Sequence, residues 1–149
     1  MCRIAGIINP SLSVDLLEDM VRNMCAIQKH GGPDDEGIYT CEKQSLVLGN
    51  RRLSIIDLTS GGHQPMSYSD GRYHITFNGE IYNYPELKYE LKKAGFLFEN
   101  QSDTEVILAA FATWGPRSFA RLNGMFAFAL WDNFTANLYL VRDASGIKP

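Results

Sequence analysis

The sequence lacks the features that would place it in a membrane, on a nucleic acid or in an oxidising compartment. It has no apolar run of about 18 residues, so no transmembrane helix is expected. Its N-terminus has no basic flank, long apolar core or small-residue cleavage site, and so does not read as a signal peptide. Basic residues do not outnumber acidic ones, and a net charge of −3 leaves no electrostatic footprint for nucleic acid or an anionic bilayer. Cysteine is sparse: Cys2, Cys25 and Cys41 form an odd set without metal spacing, which suits a reducing cytoplasm. Of the histidines, His30 and His63 fall in loops and His74 alternates out of a strand. No pair has ligand spacing, so no metal site is expected. There is no internal repeat or low-complexity tract. What remains is a chain of 149 residues, 45% hydrophobic and 21% charged, enough for one soluble domain with a sizeable core.

Periodicity divides that domain into elements. Residues 2–8 read as a buried strand stopped by Asn9-Pro10. Ser13 caps a helix to about Lys29, with Val14, Leu17, Val21, Met24 and Ile27 on one face and Cys25 as a small buried hydrophobe. Strands are expected at about 36–41, 45–50 and 52–56, then a long loop over 57–72. A half-buried strand follows at 73–78. Asn83 and Glu86 have capping-box spacing before a helix that runs to about Ala94 and stops at Gly95. Ser102 and Glu105 form a second box before a helix over 103–114, apolar nearly all round and so buried. Residues 116–122 suit a short helix. The run Met125 to Trp131 is apolar on both faces, as in a strand between two layers, and 137–142 returns as its hairpin partner.

The residues able to carry chemistry are scattered along the chain. Cys2 becomes the first residue once the initiator Met1 is removed, which gives one residue a thiol and a free α-amine. An α-amine titrates near ~7.7–8.0, low enough to serve as a general base beside a nucleophile. The alternative is an ordinary cysteine opening a buried strand. Asn78-Gly79 offers a side-chain NH2 and a backbone N–H, two donors suited to an oxyanion. The same dipeptide is a strong turn signal, and local propensity alone favours the turn. Arg52, at the head of Leu53-Ser54-Ile55-Ile56, can clamp a carboxylate bidentately. Its neighbour Arg51 should face the other way as a solvated charge. Asp103 can hold an ammonium, or simply favour a helix start. An arginine and an aspartate facing one pocket would bind the two charged ends of an amino acid.

Taken in order, MCRIAGI, HGGPD, RLSIID, GHQPM, FNGEIYNY, SDTEVIL, GMFAFALWD and VRDASGIKP resemble the N-terminal glutaminase domain of glutamine-dependent asparagine synthetase, a class II glutamine amidotransferase of the N-terminal-nucleophile (Ntn) hydrolase type. The likeness covers almost the whole chain. It implies an α+β fold, a four-layer αββα sandwich of two stacked antiparallel sheets between helical layers. It implies Cys2 as nucleophile, with Asn78 and Gly79 as the oxyanion hole. Arg52 would bind the glutamine α-carboxylate, and Glu80 and Asp103 would help hold its α-amine. Leu53, Ser54, Ile55 and Ile56 would wall the pocket. The implied partners are L-glutamine and a C-terminal synthetase domain, and the resemblance leaves room for a homodimer. No cofactor is expected in residues 1–149, since ATP and Mg would belong to the synthetase domain. Against the family pattern, residues 1–149 stop short of a complete glutaminase domain.

Three departures stand out. Arg3 replaces a usual small residue, and alternation should send its side chain away from the thiol. Gly31 replaces a usual arginine, which should loosen the loop after the first helix. Ala144-Ser145 replaces a bulkier, often basic pair. The rival reading is a non-catalytic structural or interaction module of the same fold, against which the intact Cys2, Arg52, Asn78, Gly79 and Asp103 count.

Overall fold

In the computed structural model, which describes residues 2–149, the strands form two antiparallel sheets. Met1, and the removal expected of it, lie outside the described residues. The first sheet holds β1 (Arg3–Ile8), β2 (Asp35–Cys41) and β3 (Leu46–Arg52) in the order β1-β3-β2. The second holds β4 (Met66–Tyr68), β5 (Tyr73–Ile81), β6 (Gly124–Asp132) and β7 (Asn137–Arg142) in chain order. Helix α1 (Val14–Ile27) packs on the first sheet, α3 (Asp103–Trp114) on the second, and α2 (Tyr84–Lys93) against α3. The result is the α+β sandwich expected, with the two sheets between helical layers.

Side-chain alternation separates three packed layers. Leu17, Val21 and Cys25 of α1 meet Val47. Leu46 and Leu48 meet Ala129 and Trp131 between the sheets. Phe126, Phe128 and Leu130, on the opposite face of β6, join Ile75, Phe77 and the inner face of α3. Strand β6 is buried from Phe126 to Asp132, because both its faces meet a layer. Each large side chain so enclosed contributes about 1.5–3 kcal/mol of transfer free energy. Among the described residues, no helix is long and apolar enough to cross a membrane.

Several boundaries differ from those read in the sequence. The expected strands at 45–50 and 52–56 become one, β3, which ends at Arg52. The apolar run after it leaves the sheet because side chains claim its backbone donors: the Leu53 N–H goes to Cys2 Sγ and the Ser54 N–H to Asp34 Oδ2. The loop at 57–72 is interrupted by a 3-10 turn at Ser60–Gly62 and by β4. On α1 the buried stripe is Leu17, Val21 and Cys25, while Met24 and Ile27 are exposed. His74 is buried rather than outward, stacked on Tyr39 with ring centroids 3.6 Å apart. Ser13 and Ser102 cap their helices, accepting from the N–H groups of Leu16 and Glu105 at 3.4 and 3.2 Å. Asn83 makes no side-chain cap. Its amide instead donates to the Arg121 carbonyl and accepts from the Asn123 N–H, both at 2.9 Å.

Candidate active site

Strand pairing brings the front of β1 to the end of β3. Arg3 lies opposite Arg51, so Cys2 stands beside the point where the chain leaves the sheet. There the Leu53 N–H donates to Cys2 Sγ at 3.3 Å, and the thiol donates to the Leu53 carbonyl at 3.6 Å. The sulfur opens onto a cleft whose walls include Arg52, Leu53, Ile55, Ile56, Asn78, Gly79, Glu80 and Asp103. Ser54 is the expected site residue that does not line it. The three free cysteines are well separated by environment: Cys25 is buried on the inner face of α1, whereas Cys2 and Cys41 are half-buried.

The two adjacent arginines point to opposite faces, as alternation requires. The Arg52 guanidinium, on the cleft side, donates to the Thr59 carbonyl at 3.1 Å and to the Asp57 carbonyl. It packs so closely on Gly62 that a Cβ there would overlap it. Asp57 is itself held by Thr59 and the Gln101 N–H, so the loop and the arginine brace each other. Arg51 is not the solvated charge expected. It is 6% exposed, donates to the Gly32 carbonyl at 2.9 Å and pairs with Glu36.

Asn78-Gly79 is not a turn. Both residues lie inside β5, opposite Ala127 and Phe126, and the strand continues to Ile81. A Cβ on Gly79 would come within 2.7 Å of the Phe126 Cα, so the close approach of β6 requires glycine here. In such a ladder, the N–H groups of residues 77, 79 and 81 share one side of the strand. The Phe77 N–H donates to Gln64 Oε1 at 2.7 Å, and the Ile81 N–H donates to Asp103 Oδ2 at 3.0 Å. The Gly79 N–H falls between these two, toward the cleft. Asn78 is 3% exposed, and its Oδ1 has no hydrogen-bond partner among the described residues. Such an orphaned group costs about 1–3 kcal/mol, and a bound ligand can recover that cost. Rotating the amide exchanges its oxygen for its NH2, so it can present either to a ligand.

Asp103 opens α3 and is 5% exposed. Burial raises its carboxyl to about 6, against the lowering effect of the N–H groups of Ile81 and of the helix start, and Glu80 nearby raises it further. A carboxylate held there at neutral pH is short of positive charge.

Gln64 had no signal as a site residue in the sequence. It is 5% exposed, lines the cleft, and joins both sheets and α3. Its Oε1 also accepts from Asn50 Nδ2 at 3.2 Å, and its Nε2 donates to Thr104 Oγ1 at 3.4 Å. Asn50 in turn donates to Thr76 Oγ1 at 3.0 Å. The prior signs for Gln64 were its place in a long loop and in the GHQPM motif. Among the described residues, no group of three His, Cys, Asp or Glu side chains is placed to hold a metal ion.

Chemically, the cleft offers a thiol at one wall, backbone and amide donors beside it, a guanidinium braced at a second wall and a buried carboxylate at a third. All of these groups line the same cavity.

A family model described as a glutamine amidotransferase domain matches residues 1–149. Asparagine synthetase [glutamine-hydrolyzing] 1 of Bacillus subtilis is 43% identical over 151 residues, covering 100% of this chain and 23% of its own length. A putative asparagine synthetase [glutamine-hydrolyzing] of Mycobacterium tuberculosis is 44% identical over 131 residues, covering 83% of this chain and 20% of its own length. The chain therefore spans about a fifth to a quarter of the length of these curated relatives. Among solved structures, the glutamine phosphoribosylpyrophosphate amidotransferase of B. subtilis shares the fold with a TM-score of 0.57, at 21% identity over 69% of this chain and 24% of its own.

Proposed function

The chain belongs to the glutamine amidotransferase domain family, and from that premise we propose that it hydrolyses the side-chain amide of L-glutamine with Cys2 as nucleophile. The observation that carries this reading is the shared cleft: the Cys2 sulfur, Asn78-Gly79, Arg52 and Asp103 line one cavity, although they are far apart in the chain. With Met1 removed, the α-amine of Cys2 takes the thiol proton. The sulfur then bonds to the amide carbon, and the carbonyl oxygen becomes an oxyanion facing Asn78 Nδ2 and the Gly79 N–H. Collapse breaks the carbon–nitrogen bond, and the α-ammonium gives its proton to the leaving ammonia. Water then attacks the γ-glutamyl thioester, releasing glutamate and restoring the thiol. Arg52 faces the α-carboxylate, and Asp103 and Glu80 face the α-ammonium. In a longer polypeptide like its relatives, the ammonia would serve a synthetase domain that activates aspartate or a related acid with ATP and Mg.

Cys2→Ala is the test. It should abolish glutamate release, because the atom that forms the thioester is gone, while calorimetry still detects glutamine binding. Hydrolysis that survives in Cys2→Ala would show the nucleophile to be elsewhere, whereas full-rate hydrolysis by protein that retains Met1 would overturn the α-amine as the base.

A further inference from the structure

We propose that Arg3 is a positioning residue for Cys2, and that residue 31 is glycine because the Arg3 side chain occupies the space beside it. The inference rests on the reading of Cys2 as nucleophile. The sulfur of Cys2 is held by the Leu53 N–H at 3.3 Å. The carbonyl side of the same residue is held separately, by Arg3 Nη1, which donates to the Cys2 oxygen at 3.2 Å. The two bonds fix both the sulfur and the peptide plane that aims it.

Arg3 can do this only by lying across the loop after α1. The register sets it opposite Arg51, whose Nε donates to Gly32. A Cβ on Gly31 would come within 2.7 Å of Arg3 Nε, 2.8 Å of Cζ and 2.9 Å of Cγ. These atoms run from near the root of the side chain to its head. Turning the tip alone would not clear the clash, so the arginine would have to leave as a unit, and its bond to Cys2 would go with it. The loop expected to loosen at Gly31 is instead packed by Arg3.

A double-mutant cycle in the full-length enzyme tests this, with kcat and KM for glutamine hydrolysis and the melting temperature measured on Arg3→Ala, Gly31→Ala and the double variant. Each single change should lower kcat roughly tenfold, short of the roughly 10²-fold cost of a 1 Å misplacement. KM should stay within about twofold, because no substrate contact is removed. The double variant should be no worse than the poorer single one, since both changes break the same bond. Arg3→Met keeps the stem over Gly31 and removes only the donor, so it should lower kcat without lowering the melting temperature. Losses that add in the double variant, or normal kcat in Arg3→Met, would overturn the proposal while leaving the nucleophile assignment intact. Activity surviving in Cys2→Ala, run alongside, would overturn both.

Discussion

Replacing Asp103 by asparagine should make the protein more stable at neutral pH and worse at binding glutamine. The buried carboxyl ionises at about 6, against an ordinary value of 3.8, chiefly because burial disfavours the charge. That difference of about 2 units is worth about 3 kcal/mol at 1.36 kcal/mol per unit. The folded pKa lies above the unfolded one, so the folded state binds the proton more tightly. Its contribution to stability is therefore complete below pH ~3.8, falls as pH rises toward about 6, and is gone above that. Asparagine carries no such linkage and can still accept from the Ile81 N–H. The stability of Asp103→Asn relative to the parent should thus climb between pH 4 and pH 7, by up to about 3 kcal/mol. Urea denaturation of both proteins across that range reads this directly. Comparing the two at each pH cancels other carboxylates, such as Asp57 and Asp132, whose hydrogen bonds hold them below their ordinary range. Glutamine binding should move oppositely. Losing one partner of a buried charge pair costs about 2–5 kcal/mol, so KM should rise roughly thirtyfold or more. In the parent, KM should begin to rise as pH drops through about 6 and Asp103 takes up its proton. A stability difference flat with pH, together with an unchanged KM, would show that Asp103 is neither a strained charge nor a ligand for the ammonium.

Asn78→Ala should lower kcat by roughly 10²–10³-fold with a much smaller change in glutamine affinity, because it removes a donor aimed at charge present only in the transition state. Early melting with normal turnover would assign Asn78 to structure alone. Arg52→Ala should weaken glutamine binding far more than Arg51→Ala, whereas Arg51→Ala should lower the urea midpoint because it strands Glu36 and the Gly32 carbonyl. Similar effects from both on KM would put the substrate carboxylate elsewhere. Gln64→Leu should lower kcat more than it raises KM, since it frees the Phe77 N–H next to Asn78. A pure loss of melting temperature would make Gln64 a packing residue.

Much of the fold was legible because periodicity reports burial. Helix α3 has the bounds read from its apolar run, and β6 is buried on both faces as its composition requires. The errors fall where an unseen partner decided the outcome. Arg52 looked like the start of a new strand, yet β3 carries it together with Arg51, because Arg51 finds Glu36 across the sheet and Arg52 finds the loop carbonyls. On α1, Cys25 is buried as expected, since the opposing Gly49 admits its sulfur (a Cβ there would lie 2.7 Å from it), but Met24, expected on the same inner face, is exposed. Asn83 has the spacing of a cap, but tertiary partners at Arg121 and Asn123 take its amide first.

The site was legible as residue types but not as geometry. Asn-Gly reads locally as a turn because nothing nearby in the chain says that β6 will pair through it. Once it does, the glycine serves a different purpose: it lets the Phe126 backbone come close while β5 stays extended. The extended strand then sets three N–H groups in a row at alternate residues. Gln64 takes the first and Asp103 the third, and the middle one, at Gly79, lies between them on the same side of the strand. A turn at Asn78-Gly79 would have pointed these donors in different directions. The strand holds them parallel along one wall, with Cys2 on the same cleft. The charge of Asp103 follows from the same arrangement, since the carboxylate that fixes the third N–H must sit where water is scarce. Local signals identify such residues, but only long-range pairing of β5 with β6 makes them converge.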